Sequence, residues 1–87
     1  MSTVSELIRA EIIATRPPER RNVDFTDASS LVETGILDSV GVFSLVAFLE
    51  RQFRIEVPDT DLVWKNFESI DAITQFVESK LAARTST

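Results

Sequence analysis

The segment Val40–Phe53 is rich in apolar side chains and holds no proline. It places Val42, Leu45, Val46, Leu49 and Phe53 on one face of a helical wheel. A segment with that length and period is stable only as an amphipathic helix whose apolar face is covered, so the remainder of the chain must supply the cover. Asp38-Ser39 stands directly before it, and Asp38 is a good N-cap, because a carboxylate there accepts unpaired backbone N–H groups at the positive end of the helix dipole. Phe43 and Phe48 flank the core face. Val40, Ser44, Ala47 and Arg51 lie opposite, a small and apolar set for a face that meets water.

The cover is helical as well. Val4, Leu7, Ile8 and Ile12 share one face with Glu6, Arg9 and Glu11 off it, so residues from about 3 to 15 are predicted to form a helix, capped by Ser2, Thr3 or Ser5 and stopped by Pro17-Pro18. From Glu19 to Leu37 turn residues alternate with the apolar anchors Val23, Phe25, Leu31, Ile36 and Leu37, a long loop pinned to the core; loops of this length in a small domain tend to carry function. In it, Gly35 suits a turn that needs positive φ. Ile55-Glu56-Val57-Pro58 breaks the pattern, and Asp59 to about Trp64 reads as one short helical turn with Leu62 and Val63 inward. Trp64 fits either a core plug, the favoured role, or a rim residue met by partners. Ser69 caps a last helix to about Ala83, with Ile70, Ile73, Val77 and Leu81 on one face and Glu78 and Lys80 outside.

No sustained two-residue alternation and no hairpin dipeptide argues for strands. The predicted fold is therefore all-α: a small four-helix bundle with a long first loop and a short third helix. At 87 residues the chain has room for one domain and one modest core. We place that domain over 1–87, its core over about 3–83, with 84–87 as a frayed tail.

Composition narrows the chemistry. Nine basic and fourteen acidic residues give a formal charge of −5, the wrong sign for a nucleic-acid partner. Arg16, Arg20 and Arg21 form the basic cluster and, beside Pro17-Pro18, read as a solvated loop. No run is apolar enough to span a bilayer and no signal core stands at the amino terminus, so a cytoplasmic protein is expected. The sequence has no cysteine and no histidine, which removes thiolate chemistry, the usual general base and the commonest metal ligands. A special serine in such a chain is better suited to attachment than to nucleophilic catalysis. A carboxylate hydrolase using Asp38 with Glu33 or Glu50 would need a cleft that a bundle this small can hardly enclose.

The stretch Leu31-Val32-Glu33-Thr34-Gly35-Ile36-Leu37-Asp38-Ser39-Val40 resembles the attachment segment of acyl carrier and peptidyl carrier proteins, whose signature is an Asp-Ser pair followed by a bulky apolar residue. Phe25, Leu31, the Leu45, Leu49, Phe53 ladder, Ile55-Glu56-Val57-Pro58 and Phe67-Glu68-Ser69-Ile70 are similar to that family's recurring anchors, so the resemblance covers nearly the whole chain. It implies that Ser39 takes 4'-phosphopantetheine from coenzyme A through a phosphodiester, with Asp38 as the flanking motif residue. It also implies that Val40 is an apolar contact for the phosphopantetheinyl transferase and later partners. The other reading of Ser39 is a helix-start serine without modification, in a small helical interaction domain.

Carriers of fatty-acid synthesis typically have a strongly acidic second helix. Here Glu50 is the sole further acid between Asp38 and Arg54, and Arg51 stands on the exposed face. Recognition is therefore expected to use apolar contact through Val40, Ala47 and Phe43, with Ser44 and Arg51 on the same surface, and to depend weakly on salt. That looks more like an aminoacyl or peptidyl carrier, here a stand-alone, monomeric one. The expected partners are the transferase, an acyl- or aminoacyl-activating ligase, and a downstream transferase or synthase; a fatty-acid or polyketide acyl carrier is the alternative.

Overall fold

The computed structural model describes residues 3–85. Helix α1 spans Val4–Thr15 and begins because the Thr3 hydroxyl accepts the Glu6 backbone N–H at 3.2 Å, while the Glu6 carboxylate adds favourable charge to the first turn. Thr3, one of the three candidate caps, performs the role; Ser2 lies outside the described residues. Arg16 in extended geometry, followed by Pro17, ends the helix, and Ile8 and Ile12 carry its buried face.

A long loop follows, interrupted by one 3₁₀ turn at Pro18–Arg20. It is stapled to the rest by backbone as well as side chains. Leu31 N–H donates to the Glu68 carbonyl and Asp71 N–H to the Asp27 carbonyl, each at 2.9 Å. The second bond satisfies an N–H of the first turn of the last helix, which has no partner inside that helix. Phe25, Leu31, Ile36 and Leu37 then drop into the core. Gly35 adopts φ +75°, as the turn requires.

Arg9 supplies a tie that periodicity could not reveal. Its guanidinium lies 4.5 Å from the Phe25 ring centroid, donates to the Phe25 carbonyl at 3.0 Å and pairs with Asp27 at 3.1 Å. Both charged side chains are more than a third exposed, so the ion pair itself contributes under about 1 kcal/mol. Adding the ring contact and the carbonyl bond, Arg9→Ala is expected to lower stability by about 1–2 kcal/mol in urea unfolding without loss of helix content. A variant as stable as the parent would show that the loop is held by its apolar anchors alone.

Helix α2 spans Ser39–Phe53, is capped by Asp38, and ends at Arg54 in the left-handed region with φ 55°. Leu45, Val46 and Leu49 are buried, as the wheel predicts. The third element departs from expectation. Asp59–Asp61 is a 3₁₀ turn, and helix α3 is Trp64–Phe67, one short turn starting where the sequence reading ended it. Phe67 is its buried residue, Leu62 is half-buried, and Val63 is exposed rather than inward. Pro58 restricts the backbone at the front of this segment and Asn66 donates its amide to the Asp61 carbonyl at 2.8 Å, so the turn and the helix fold as two short pieces.

Helix α4 spans Ile70–Thr85, two residues past the predicted end at Ala83; residues 86 and 87 of the expected tail lie outside the described residues. Ser69 caps it, its hydroxyl accepting Ala72 N–H at 3.1 Å. Ile70, Ile73 and Val77 are fully buried, and α4 packs against each of the other three helices. Lys80, expected outside, instead turns back to pair with Asp61 at 2.6 Å and lies 5.6 Å from the Phe76 ring centroid, tying α4 to the 3₁₀ turn before α3. The result is the expected all-α four-helix bundle, and no strand occurs among the described residues.

Candidate functional site

The loop delivers the chain to the start of α2 through Ile36 and Leu37, both buried, so the next residues emerge at the surface with a defined direction. Asp38 is extended, at φ −112° and ψ −178°, and turns its carboxylate onto the helix: Oδ1 accepts Gly41 N–H at 2.7 Å while its carbonyl accepts Val42 N–H at 2.9 Å. A short bond to a charged acceptor is among the stronger caps available. Gly41 makes the approach possible, since a Cβ there would stand 3.1 Å from both the Asp38 carboxylate and Leu37 Cδ1.

Ser39 is the first helical residue and is exposed. The Asp38 cap uses the N–H groups of Gly41 and Val42; those of Ser39 and Val40 have no partner among the described residues. A serine hydroxyl reachable from solvent, next to two unpaired N–H donors at the positive end of α2, fits a phosphodiester on its oxygen. The residues present therefore suit a phosphate-linked group.

Around Ser39 the structure separates the predicted surface residues into two sets. Val40, Ser44, Ala47 and Arg51 form an exposed stripe down the outer side of α2, with Val40 73% exposed. Phe43 instead joins Asp38 and Ser39 in the wall of a groove of about 660 Å³, completed by Val32, Leu62 and Trp64 among others. Trp64 is 49% exposed, so its favoured role as a core plug is incorrect; the short α3 begins at Trp64, before the chain has turned inward to bury Phe67.

The sequence predicts a solvated loop around Arg20. Arg20 is exposed, yet its guanidinium lies over Gly35, where a Cβ would collide with Nε, and it reaches the same groove. Neither Arg20 nor Leu62 carries a local signal for this placement, because each is far from Ser39 in the chain and arrives through the packing of the loop and α3. Trp64 alone carried a signal, as a large aromatic on a short element.

Glu50, one of the carboxylates that could have worked with Asp38, accepts Val57 N–H at 3.0 Å and holds the chain beyond α2. Among the described residues no group of acidic side chains is placed to hold a metal ion, and no helix is long and apolar enough to cross a membrane.

A search of curated proteins found no match to this chain. The family described as "Phosphopantetheine attachment site" matches it over residues 2–77, a span that takes in α1, the long loop, the Asp38-Ser39 helix start, α3 and about half of α4. With that match over most of its length and an all-α bundle presenting a serine at a capped helix start, the chain belongs to the phosphopantetheine attachment family, a carrier family whose members bind 4'-phosphopantetheine covalently.

Proposed function

We propose that Ser39 is the attachment residue and that the chain presents an aminoacyl or other acyl group to partner enzymes in specialised biosynthesis. The observation that carries this is the exposed Ser39 hydroxyl beside the unpaired N–H groups of α2, inside the matched family span. On loading, Ser39 Oγ forms a bond to the phosphorus that bears pantetheine. The diphosphate bridge of coenzyme A breaks, adenosine 3',5'-bisphosphate leaves, and the hydroxyl proton passes to a base on the transferase. When bound, the group supplies the thiol that this cysteine-free chain lacks, and with it a thioester linkage to cargo. The chain's own part is to hold the hydroxyl outward and the phosphate at the helix start. It performs no catalysis in this reading, which the engagement of the Asp38 and Glu50 carboxylates in backbone bonds supports. Incubation with coenzyme A and a broad-specificity phosphopantetheinyl transferase tests it: intact mass should rise by one phosphopantetheine, mapped to the peptide containing Ser39. A folded protein of unchanged mass would favour an unmodified interaction domain instead.

The partners are the transferase, an activating ligase and a downstream transferase or synthase, working in the cytoplasm where coenzyme A is supplied. We assign their contact to Val40, Ser44, Ala47 and Arg51, with Phe43 at the edge. The observation in favour is the exposure of this stripe, Val40 most of all, with no carboxylate on it to steer a basic partner. An aminoacyl or peptidyl carrier fits this surface better than a fatty-acid carrier, for which an acidic second helix is typical. Val40→Asp and Ala47→Asp are each expected to slow cargo transfer about tenfold or more, by interrupting apolar contact, while the melting temperature moves by only a few degrees. Asp is tolerated in a first helical turn, so Val40→Asp in particular should fold normally. Unchanged transfer rates in both variants would remove the stripe from the interface.

A further inference from the structure

Arg20 is a cation left without a counter-charge. Its side chain makes no hydrogen bond and no ion pair among the described residues, where the ion pairs are Arg9 with Asp27 and Lys80 with Asp61. It lines the same concave surface as Ser39, with the carboxylates of Glu19 and Asp38 also present, and it pairs with neither. Resting on Ser39 as the attachment residue, we propose that the Arg20 guanidinium pairs with the phosphodiester of the loaded arm and so fixes the direction in which the arm leaves the bundle.

The placement of Arg20 is set by the backbone. Arg20 ends the 3₁₀ turn Pro18–Arg20 and is held on both sides: its N–H donates to the Pro17 carbonyl at 2.9 Å, and its carbonyl accepts Val23 N–H at 3.2 Å. From that start the side chain crosses Gly35, where a Cβ would collide with Nε and stand 2.9 Å from Cζ. Gly35 therefore serves twice, by taking φ +75° and by leaving open the path of the guanidinium. Gly35 is itself fixed relative to Ser39. Its N–H donates to the Val32 carbonyl and Leu37 N–H donates to the Leu31 carbonyl, each at 2.9 Å, and Ile36 and Leu37 are buried between Gly35 and Asp38. A short, anchored segment thus joins the residue under the guanidinium to the residue that carries the arm.

Charge gives Arg20 its task. A phosphodiester on Ser39 adds one negative charge beside Asp38, on a surface that also holds Glu19, in a chain whose formal charge is −5. The unpaired N–H groups of Ser39 and Val40 offset part of that repulsion. Arg20 is the basic residue on the same surface; Arg16 and Arg21 do not line it, and Arg16 is turned to the Val23 carbonyl at 3.5 Å. A guanidinium also fits the group better than an ammonium would. Its planar fork offers two parallel N–H donors to two phosphate oxygens, which fixes orientation as well as charge. The pair would restrain the root of the arm and leave its thiol end mobile.

The test loads the full chain and the variants Arg20→Gln, Arg20→Lys and Arg21→Gln with coenzyme A and a transferase, with intact mass to verify each. Phosphorus NMR then reads the phosphodiester that loading adds. In the parent its resonance is expected to sit apart from that of the same protein unfolded in urea. It should return towards the unfolded position in Arg20→Gln, part of the way in Arg20→Lys, and not at all in Arg21→Gln. Raising salt from about 0.01 M to about 1 M shortens the screening length about tenfold, and should move the parent resonance in the same direction as Arg20→Gln. Loading should also favour the melting temperature of the parent over that of Arg20→Gln by about 2–5 °C, while the unloaded forms melt alike because the Arg20 side chain has no bond to lose. Fully loaded parent and Arg20→Gln with the same resonance and the same change on loading overturn the pairing and leave Ser39 as the attachment residue. An equal response to Arg21→Gln makes the effect one of overall charge and overturns it too. A chain that gains no mass overturns the attachment reading, and this proposal with it.

Discussion

Ser39→Ala should abolish uptake of phosphopantetheine completely while leaving the bundle as stable as the parent. The two halves of that result have separate causes. On the proposed attachment, the substitution removes the oxygen that takes the phosphodiester, and the next serine on α2, Ser44, is more than a helical turn further along, away from the unpaired N–H groups of Ser39 and Val40. Stability is spared because the Ser39 side chain is exposed and makes no hydrogen bond among the described residues; the cap belongs to Asp38. Exposed substitutions away from caps and core usually change stability by no more than about 0.5 kcal/mol. Mass spectrometry after transferase treatment and a thermal melt on the same sample check both halves. A full mass gain in Ser39→Ala would move the attachment point to another residue. A large loss of stability would instead mean that the helix start depends on the Ser39 hydroxyl, contrary to the Asp38 geometry.

Leu49→Ala carries the largest expected cost in stability. Leu49 has no exposed surface and stands at the centre of the α2 core face with Leu45 and Val46, facing the cluster that α4 completes with Ile70, Ile73 and Val77. Truncation loses the burial of the removed atoms and leaves a cavity that rigid helices refill poorly, which together cost about 3–5 kcal/mol. For a domain whose total stability is about 5–15 kcal/mol this is a large share. At about 4–8 °C per kcal/mol for a chain of this size, the melting temperature should fall by roughly 12–40 °C. Transferase modification at low temperature should continue, because Asp38 and Ser39 are held by a local cap and by the loop anchors. A loss below about 1 kcal/mol would show that α2 is not clamped between loop and α4 as described.

Several parts of this fold are local enough to be legible from residue order. Thr3, Asp38 and Ser69 cap the three long helices because a side chain need only reach a backbone N–H three residues ahead, a geometry set within one turn. The core faces of α1, α2 and α4 follow the 3.6-residue period for the same reason, and Ile8, Ile12, Leu45, Leu49, Ile73 and Val77 are buried as it requires. Gly35 takes the positive φ its turn demands. Even Ser39 was marked locally, by its place between a capping carboxylate and an apolar helix.

Other features had no local signature. The short third helix was displaced from Asp59–Trp64 to Trp64–Phe67 because a single turn has too few residues to show a period, and its position is decided by Phe67 entering the core. Arg9 and Lys80 looked like solvent-facing charges; one became the clamp on Phe25 and Asp27, the other the tie to Asp61, through partners that only the folded chain brings near.

The groove shows the division most clearly. Sequence alone determined a helical bundle with a presented serine, because caps, periods and prolines act over a few residues and each leaves its mark in residue order. Tertiary structure decided what surrounds that serine. Arg20 and Val32 come from the loop, Phe43 from α2, and Leu62 and Trp64 from the region of α3; they meet beside Ser39 only when Phe25, Leu31, Ile36 and Phe67 are buried together. That meeting depends on long-range packing, whose energy is shared over the whole core and is therefore written in no single stretch of the chain.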